Sequence, residues 1–315
     1  MNFLVSRTDK IGDLVISLSV AKFIKRIKPE SKVFYLVRKG LGDILKRAKY
    51  IDGFFEVSVG GERGDIRILE IPKLSFFLRK TRPDLCFLLY PKPILALTMK
   101  LNGVKICGTS RRFFSFLFNF RVNISRRTNF FHEAFYNLQI LSPIFNQVED
   151  ISFDSIIELK PELYIEDELC RFVKKKFSLP ETYVVFHPFS GGSAPSVDID
   201  YLYKVAQSLD IPVVWIGKNN TTLREFYGIS LVNKTNIDDL LAVLKMSRCV
   251  VSPASGPIHI SAALKIPTVG FYKLQEIARW MPLNEIQEIF YIENLPSPEL
   301  CAKKIKDLCE INKDS

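Results

Sequence analysis

Short apolar runs typical of β-strands alternate along this chain with segments of helical periodicity, and this alternation limits the possible folds more than any other feature. In the first half we predict strands at residues 2–6, 32–37 and 85–90, an apolar segment at 53–59, and helices at residues 14–28, 41–48 and 71–80. Alternating strands and helices of these lengths form α/β units with parallel strands. The first half is therefore predicted to be a doubly wound, Rossmann-like sheet.

The second half repeats this alternation and closes with an amphipathic segment at residues 298–311 that predicts a final helix. Asn236 can cap one of its helices, with Asp238 and Asp239 in the first turn, where the helix dipole favours acids. The predicted strands lie at residues 183–187, 212–216, 231–232, 248–252 and 267–272, and the predicted helices at residues 199–208, 236–246 and 257–265.

A region rich in turn-forming residues at 149–180, acidic and then basic, separates the two halves. A chain of 315 residues suits two domains of roughly 150 residues each, which we place at residues 1–160 and 161–315. The closing helix is assigned to the second domain, with a return to the first left open. We expect the two domains to face a cleft, where ligands of open α/β sheets bind beyond the carboxyl ends of the strands.

Composition excludes several classes of protein. No stretch reaches the ~18 uninterrupted apolar residues needed to cross a bilayer, and no secretory signal is visible at the N-terminus. The six cysteines are far apart without a C-x-x-C pair, which is typical of reduced core residues. The histidines at 132, 187 and 259 have unrelated spacings, so no metal site is predicted. We expect a cytoplasmic protein.

The positive charge is confined to the first half. Residues 1–160 carry 27 Lys and Arg against 15 Asp and Glu, whereas residues 161–315 carry 17 against 19. The stretch 85–132 has no acid, eight Lys and Arg, and interleaved Phe residues. Three interpretations stay open for this stretch: a solvated cationic face over a Phe-rich core, a surface for an anionic lipid head group or phosphorylated glycan, and a site for single-stranded nucleic acid.

The loop after the first predicted strand, residues 7–13, leads directly into a helix. Asp13 falls at the predicted N-cap, where its carboxylate can accept backbone N–H bonds. The same carboxylate, at a strand–loop–helix junction, can instead take a proton from an acceptor hydroxyl. Capping would lower its pKa and make Asp13 an ionised but weak base. Gly12 would allow close approach of a ligand or a positive φ.

A second candidate loop precedes the predicted helix at residues 257–265. Ser255 or Gly256 can cap this helix, and Pro257 fits its first position. The backbone N–H groups of residues 255–258 would then form an anion site suited to a diphosphate, to which His259 could add a hydrogen bond. The alternative is an ordinary helix start that contains a buried histidine.

The third loop, at residues 187–193, follows a strand and contains Ser190, Gly191 and Gly192, whose backbone could wrap phosphates. Neither a G-x-G-x-x-G motif opening a helix nor a G-x-x-x-x-G-K-[ST] motif is present. Dinucleotide binding of the Rossmann type and P-loop hydrolysis are therefore disfavoured.

Taken together and in order, these loops resemble those of glycosyltransferase family 9, the bacterial lipopolysaccharide heptosyltransferases. The opening RTDKIGDLVISLSVAKFIKRIKP is similar to the family's first strand–loop–helix, LVRKGLGDIL to its second unit, RPDLCFLLY to its next strand, and FFHEAFYNLQIL to the helix before the domain boundary. VVFHPFSGG, KTNIDDLLAVLKMSRCVVSPASGPIHISAALKIPTVGFY and ARWMP resemble the donor domain. The resemblance covers most of the chain.

The resemblance implies a GT-B fold with acceptor binding in the N-terminal half and nucleotide-sugar binding in the C-terminal half. It also implies inversion at the anomeric carbon without a metal ion or a cofactor. Asp13 matches the family's proposed general base, and residues 255–259 match the segment that lies against the donor. Further donor contacts are expected at Ser190, Gly191, Gly192 and Lys218. Acceptor contacts are expected at Lys10, Gly12, Arg111 and Arg112.

Two donor-side positions depart from the family pattern. Ala254 stands where the family usually has an acid that holds sugar hydroxyls, and the basic residue and tryptophan expected after His187–Pro188 are missing. Lys218 or Lys273 could supply the lost phosphate partner.

The predicted function is transfer of heptose or a related sugar from a nucleotide-diphosphate donor, ADP-heptose in the first place, to a lipopolysaccharide core-type acceptor. A non-catalytic relative that binds nucleotide or glycolipid, and a nucleotide-sugar epimerase, are the alternatives. We expect a monomer without a nucleic-acid partner, and peripheral contact with the inner membrane through the basic half.

Overall fold

The computed structural model of the protein describes residues 1–61, 64–126, 129–189, 197–218 and 227–311. The chain forms two compact units, with the boundary between Glu162 and Leu163. Each unit is built around one six-stranded sheet, and neighbouring strands of both sheets are parallel. This architecture confirms the predicted α/β class with two doubly wound sheets.

The first unit alternates strands with helices along the sequence. Its strands are β1 (Asn2–Arg7), β2 (Lys32–Arg38), β3 (Gly53–Val57), β4 (Leu85–Leu88), β5 (Lys105–Thr109) and β6 (Phe120–Val122). Its helices are α1 (Ile11–Ile27), α2 (Gly42–Lys46), α3 (Ile71–Thr81), α4 (Pro93–Leu101), α5 (Glu133–Gln139) and α6 (Phe153–Glu158). Short 3-10 turns occupy Ile68–Glu70, Phe113–Leu117 and Asn146–Val148.

The second unit repeats the pattern. Its strands are β7 (Val184–Phe186), β8 (Val213–Trp215), β9 (Ile229–Ser230), β10 (Cys249–Pro253), β11 (Thr268–Tyr272) and β12 (Gln287–Tyr291). Its helices are α7 (Asp167–Phe177), α8 (Ile199–Gln207), α9 (Ile237–Lys245), α10 (Gly256–Ala263), α11 (Ile277–Trp280) and α12 (Pro298–Ile311), and a 3-10 turn occupies Ile292–Asn294.

The strand order places a topological switch point in each sheet. The first sheet runs β3-β2-β1-β4-β5-β6, and the second runs β12-β11-β10-β7-β8-β9. The chain therefore reverses its direction of travel beside β1 in the first sheet and beside β7 in the second. Ligands of open α/β sheets bind beyond the carboxyl ends of the strands at this point.

Alternate residues of the first sheet's strands face two different helical layers. On one face, Leu4, Cys86 and Leu88 pack in a core with the inner sides of α3, α4 and the 3-10 turn Phe113–Leu117. On the other face the rings of Phe3 and Phe145 lie 5.7 Å apart, and α1 packs against α5. This second helical layer, which contains α1 and α5, places α5 beside the carboxyl end of β1.

The second unit's core includes the closing helix. Cys301, Ile305 and Cys309 of α12 are buried with strand residues such as Phe186 and Trp215, and α12 packs against α8. Helix α12 is therefore part of the second unit's core.

The structure differs from the sequence prediction at several element boundaries and adds elements that the sequence did not predict. Helix α1 begins at Ile11 rather than at residue 14, and the short strand predicted at residues 231–232 lies at Ile229–Ser230. The sequence interpretation missed helices α4, α6, α7 and α11 and strands β5, β6 and β12. Asn236 does cap α9, because its Oδ1 accepts a hydrogen bond from the Asp239 N–H and the Asp239 carboxylate accepts one from the Asn236 N–H.

Candidate functional site

A buried arginine organises the carboxyl end of β1. Arg7, the last residue of this strand, has a side chain only 4% exposed. Its Nε donates to Asp9 Oδ1 at 2.8 Å, and its Nη2 donates to Asp13 Oδ1. Its Nη1 donates to Glu133 Oε1 at 3.0 Å and to Asn137 Oδ1 at 2.9 Å. The guanidinium thus holds three carboxylates of the first unit in one cluster.

Arg126 approaches the same cluster from the loop after β6. Its Nε lies 3.1 Å from Glu133 Oε1, and its Nη2 donates to Asn137 Oδ1 at 3.1 Å. The helix that carries both acceptors begins at Glu133, and His132 caps it by accepting a hydrogen bond from the Ala134 N–H through Nδ1. Packing of α1 against α5 brings these groups, which are distant in sequence, next to Arg7.

The structure corrects the predicted position and ionisation of Asp13. Lys10 is the N-cap residue of α1, and Asp13 is the third residue of that helix, so its carboxylate binds Arg7 rather than capping the helix end. Burial raises the pKa of Asp13 to about 7, an increase that Arg7 opposes and the charges of Asp9 and Glu133 reinforce. The sequence-based expectation of a lowered pKa is wrong.

The charges of the cluster give a simple reason for this direction. Among the described residues, Arg7 pairs with the carboxylates of Asp9, Asp13 and Glu133, and Arg126 pairs with that of Glu133. The negative charges of Asp9 and Glu133 therefore add to the effect of burial and raise the pKa of Asp13, whose side chain is the most solvent-accessible of the three at 15%. A carboxylate with a pKa near neutrality is matched to proton transfer at physiological pH.

The predicted acceptor residues lie at the carboxyl edge of the first sheet. Lys10 and Gly12 follow β1, and Arg111 and Arg112 follow β5 with exposed side chains. Gly12 is a buried helical residue of α1 and does not have a positive φ, so close approach of a ligand is the expected role that stays a prediction. Because the carboxyl ends of parallel strands share one edge, these residues lie at the same edge as Asp13.

The sequence interpretation gave no role to Arg7, Glu133 or Asn137, and it counted Arg126 only among the cations of the stretch 85–132. One signal was available: Glu133 is the first acid after a long acid-free stretch, and Asn137 follows it one helical turn later. Their contact with Arg7 spans about 130 residues of sequence, which periodicity does not encode.

The second unit assembles a different cluster at the carboxyl ends of β7 and β10. His187 Nδ1 lies 3.1 Å from Ser255 Oγ and 3.3 Å from Ser252 Oγ, and the two serine oxygens are 2.7 Å apart. Burial lowers the pKa of His187 to about 4, so its imidazole is neutral at pH 7. The group is a hydrogen-bonding cluster without a formal charge.

This cluster leaves the start of α10 without a side-chain cap. Ser255 is the N-cap residue, but its hydroxyl bonds Ser252 and His187 instead of the helix amides. The helix begins at Gly256, with Pro257 second, and Ile258 and His259 are buried in its first turn. Amides at such a helix start favour an anion. The structure therefore brings the predicted residues 255–259 together at the carboxyl edge of the second sheet.

The loop after β8 reaches the same edge. Gly217 has φ of +130°, and a Cβ there would lie 2.4 Å from the Phe189 ring, so a side chain is excluded. Lys218 follows this close contact and is exposed. The predicted phosphate contacts of Ser190, Gly191 and Gly192 lie outside the described residues.

The described residues contain neither a candidate metal site nor a candidate membrane span. Within the described ranges, no group of three or more His, Cys, Asp and Glu side chains is arranged to hold a metal ion. Among the helices that the structure describes, none has the length and apolar character required of a membrane span.

Solved structures identify the class of this fold. ADP-heptose lipopolysaccharide heptosyltransferase II from Escherichia coli is similar with a TM-score of 0.83 and 18% identity, over 100% of both chains. Escherichia coli heptosyltransferase WaaC with ADP is similar with a TM-score of 0.68 and 16% identity, over 99% of this chain and 100% of that one. At these identities the likeness establishes the fold, which is that of GT-B glycosyltransferases.

Sequence comparison then gives the family. The model of glycosyltransferase family 9 (heptosyltransferase) matches residues 144–309, which is more than half of the chain. A Haemophilus influenzae protein that carries a provisional name as a glycosyltransferase is 23% identical over 317 aligned residues, covering 90% of this chain and 87% of that protein. The chain belongs to glycosyltransferase family 9 and is a glycosyltransferase.

Proposed function

We propose that this glycosyltransferase moves heptose or a related sugar from a nucleotide-diphosphate donor, in the first place ADP-heptose, to a lipopolysaccharide core-type acceptor. The reaction inverts the anomeric carbon and uses neither a metal ion nor a cofactor. The observation that carries the proposal is Asp13, a carboxylate oriented by Arg7 at the carboxyl edge of the first sheet with a pKa raised to about 7.

In this proposal Asp13 acts as the general base. An acceptor hydroxyl attacks the anomeric carbon, the bond from that carbon to the diphosphate oxygen breaks, and the hydroxyl proton passes to Asp13. Arg7 binds Asp13 Oδ1, so Oδ2 is the oxygen that receives the proton. Holding the base in one orientation lowers the entropic cost of reaching the transition state. Lys10, Gly12, Arg111 and Arg112 are proposed to bind the anionic acceptor.

The second unit is proposed to hold the donor. Backbone amides at the start of α10 would bind the diphosphate, and their partial positive charge would stabilise the negative charge that builds on it as the sugar departs. The neutral His187 and the hydroxyls of Ser252 and Ser255 add hydrogen-bonding groups without a competing charge. Lys218 is proposed as the cation that replaces the basic residue missing after Pro188.

The acid at position 13 predicts a pH profile. Because a general base must be ionised, kcat/KM should rise about tenfold per pH unit below the pKa of Asp13 and level off above about pH 7. Initial rates of sugar transfer between pH 5 and 9 measure this. A profile that is flat over pH 5.5–8 would contradict the assignment of Asp13 as a base whose pKa is raised to about 7.

Ser255 predicts a change in donor affinity. Replacing Ser255 with alanine removes a hydroxyl that orients His187 beside the start of α10, and we expect the Kd for ADP to rise about tenfold. Calorimetric titration measures it. Ser247→Ala is the matched control: this buried serine lies just before β10 rather than just after it, and its Oγ donates only to the Leu244 carbonyl at 2.8 Å. Equal affinities of both variants would remove Ser255 from the donor site.

The acceptor class has a consequence for location. We propose that the enzyme acts as a monomer at the cytoplasmic face of the inner membrane, in peripheral contact through its basic N-terminal half. The main alternative is a non-catalytic relative, which Ala254 favours because an acid that holds sugar hydroxyls is absent. Donor binding without product over long incubation would support that alternative.

A further inference from the structure

One helical layer of the first unit has apolar residues on both of its sides. Helix α4 buries Leu95, Ala96 and Met99 in the core. Its opposite side carries Leu97 and Leu101, which are exposed and one turn apart. A surface helix of a soluble protein ordinarily presents polar residues there.

The neighbouring 3-10 turn Phe113–Leu117 also has apolar residues on its solvent-exposed side. It packs against α4 and buries Phe114 in the shared core, while Phe113 and Phe116 are 85% and 72% exposed. Residues three apart eclipse each other in a 3-10 helix, so these two rings project in the same direction.

Helix α3 and the turn before it complete the layer. The Asn102 side chain at the end of α4 donates to Ser75 Oγ of α3 at 3.0 Å, and Asp65 accepts hydrogen bonds from the first amides of α4. These contacts hold the segment 65–81 beside α4. Its residues Ile68, Leu69 and Phe76 are all exposed. We call the outward side of residues 67–81, 93–101 and 113–117 the outer layer.

The charged residues in and beside the outer layer are mostly positive. Residues 67–81 and 92–117 contain nine Lys and Arg, eight of them exposed, and a single acid, Glu70. Arg111 and Arg112 directly precede Phe113, so the layer is continuous with the edge at which the acceptor is proposed to bind. Exposed apolar residues surrounded by cations are typical of surfaces that lie in the interface of an anionic bilayer.

We propose that the outer layer docks on an anionic lipid bilayer, with Leu97, Leu101, Phe113 and Phe116 entering the interface and the surrounding Lys and Arg binding lipid phosphates. A second copy of this chain fits less well, because two such layers would bring like charges together. Single-stranded nucleic acid also fits less well, since bases stack on aromatic rings and half of these four side chains are aliphatic. The role of this docking in catalysis rests on the proposed glycolipid acceptor, but the predicted binding of the outer layer to an anionic bilayer does not.

Vesicle co-sedimentation tests the proposal without donor or acceptor. The full chain should bind vesicles of phosphatidylethanolamine and phosphatidylglycerol, bind phosphatidylcholine vesicles weakly, and lose affinity as salt is added. Phe113→Gln/Phe116→Gln should weaken binding by about tenfold or more. The matched control, Phe172→Gln/Leu300→Gln, changes two exposed apolar residues of the second unit and should bind as wild type does.

A second pair of variants tests the cations. Lys100→Glu/Lys105→Glu should weaken binding and reduce its salt dependence, whereas Arg171→Glu/Lys175→Glu on α7 should not. Thermal unfolding checks that each variant is folded. Failure of the wild type to bind phosphatidylglycerol vesicles, or equal binding by the Phe113/Phe116 variant and its control, would overturn the proposal. So would concentration-dependent dimerisation that the same variant abolishes, or tighter binding to poly(U) than to vesicles. None of these outcomes depends on whether sugar transfer occurs.

Discussion

Replacing Asp13 with asparagine should lower kcat for sugar transfer by about 10²- to 10⁴-fold, the usual contribution of a positioned general base. Asparagine has nearly the same shape and can still accept a hydrogen bond from Arg7, but it cannot take the proton of the acceptor hydroxyl. Donor affinity should be close to that of the wild type, since the proposed donor contacts belong to the second unit. Steady-state kinetics and calorimetric titration of donor measure the two quantities.

Asp43→Asn is the control for this variant. Asp43 is also an acid in the first turn of a helix that follows a strand of the first sheet, but its side chain is 39% exposed and its Oδ1 accepts a hydrogen bond from Lys46 at 2.6 Å. Its replacement should leave kcat within about twofold of the wild type, because partly exposed ion pairs of this kind contribute little. Full activity of Asp13→Asn would exclude Asp13 as the base.

Replacing Arg7 with methionine should lower the free energy of unfolding by about 3–5 kcal/mol, the typical effect of removing one partner from a buried ionic cluster. Asp9, Asp13 and Glu133 would each lose this partner, and Glu133 would keep its contact with Arg126. The pKa of Asp13 would rise further, because Arg7 is the group that lowers it. The folded variant would then keep a proton that the unfolded chain releases, so its stability should fall as pH rises from about 4 to 8.

Urea unfolding at several pH values measures this loss. Arg26→Met is the matched control, because Arg26 bonds Glu158 at 2.9 Å on the surface and its removal should cost no more than about 1 kcal/mol. Arg7→Lys should have an intermediate effect, since it keeps the charge but not the fork that reaches several carboxylates. Equal losses for the Arg7 and Arg26 variants would show that the cluster contributes no more than a surface pair.

Much of the fold can be predicted from the sequence because buried strands and helices have characteristic spacings of apolar residues. The apolar runs of β1, β10 and β11 and the helical spacing of α1 and α12 predicted those elements at close to their observed positions. Helix α4 was not predicted because Pro91, Lys92 and Pro93 interrupt the apolar stretch at residues 85–99. In the structure Pro93 is the first residue of that helix, a position where proline is tolerated.

The candidate site was predictable only in part. A carboxylate after the first strand and a serine-glycine-proline start of α10 are local patterns, and both were found. The state of Asp13 was not predictable, because it depends on Arg7, Glu133 and burial in the folded chain rather than on neighbours in sequence. The exposed apolar residues of the outer layer could be identified only from the structure, because exposed and buried Phe residues alternate within the short turn Phe113–Leu117.

The central claim is that this chain transfers a sugar with Asp13 as its base. The most direct test incubates wild type and Asp13→Asn with ADP-heptose and a heptose-deficient lipopolysaccharide acceptor, and follows the acceptor by mass spectrometry. We predict that the wild type adds one heptose residue and releases ADP, and that the variant binds donor but forms product at least about a hundredfold more slowly. Equal rates for the two proteins would contradict the account. So would the absence of any transfer by a wild type that binds ADP-heptose.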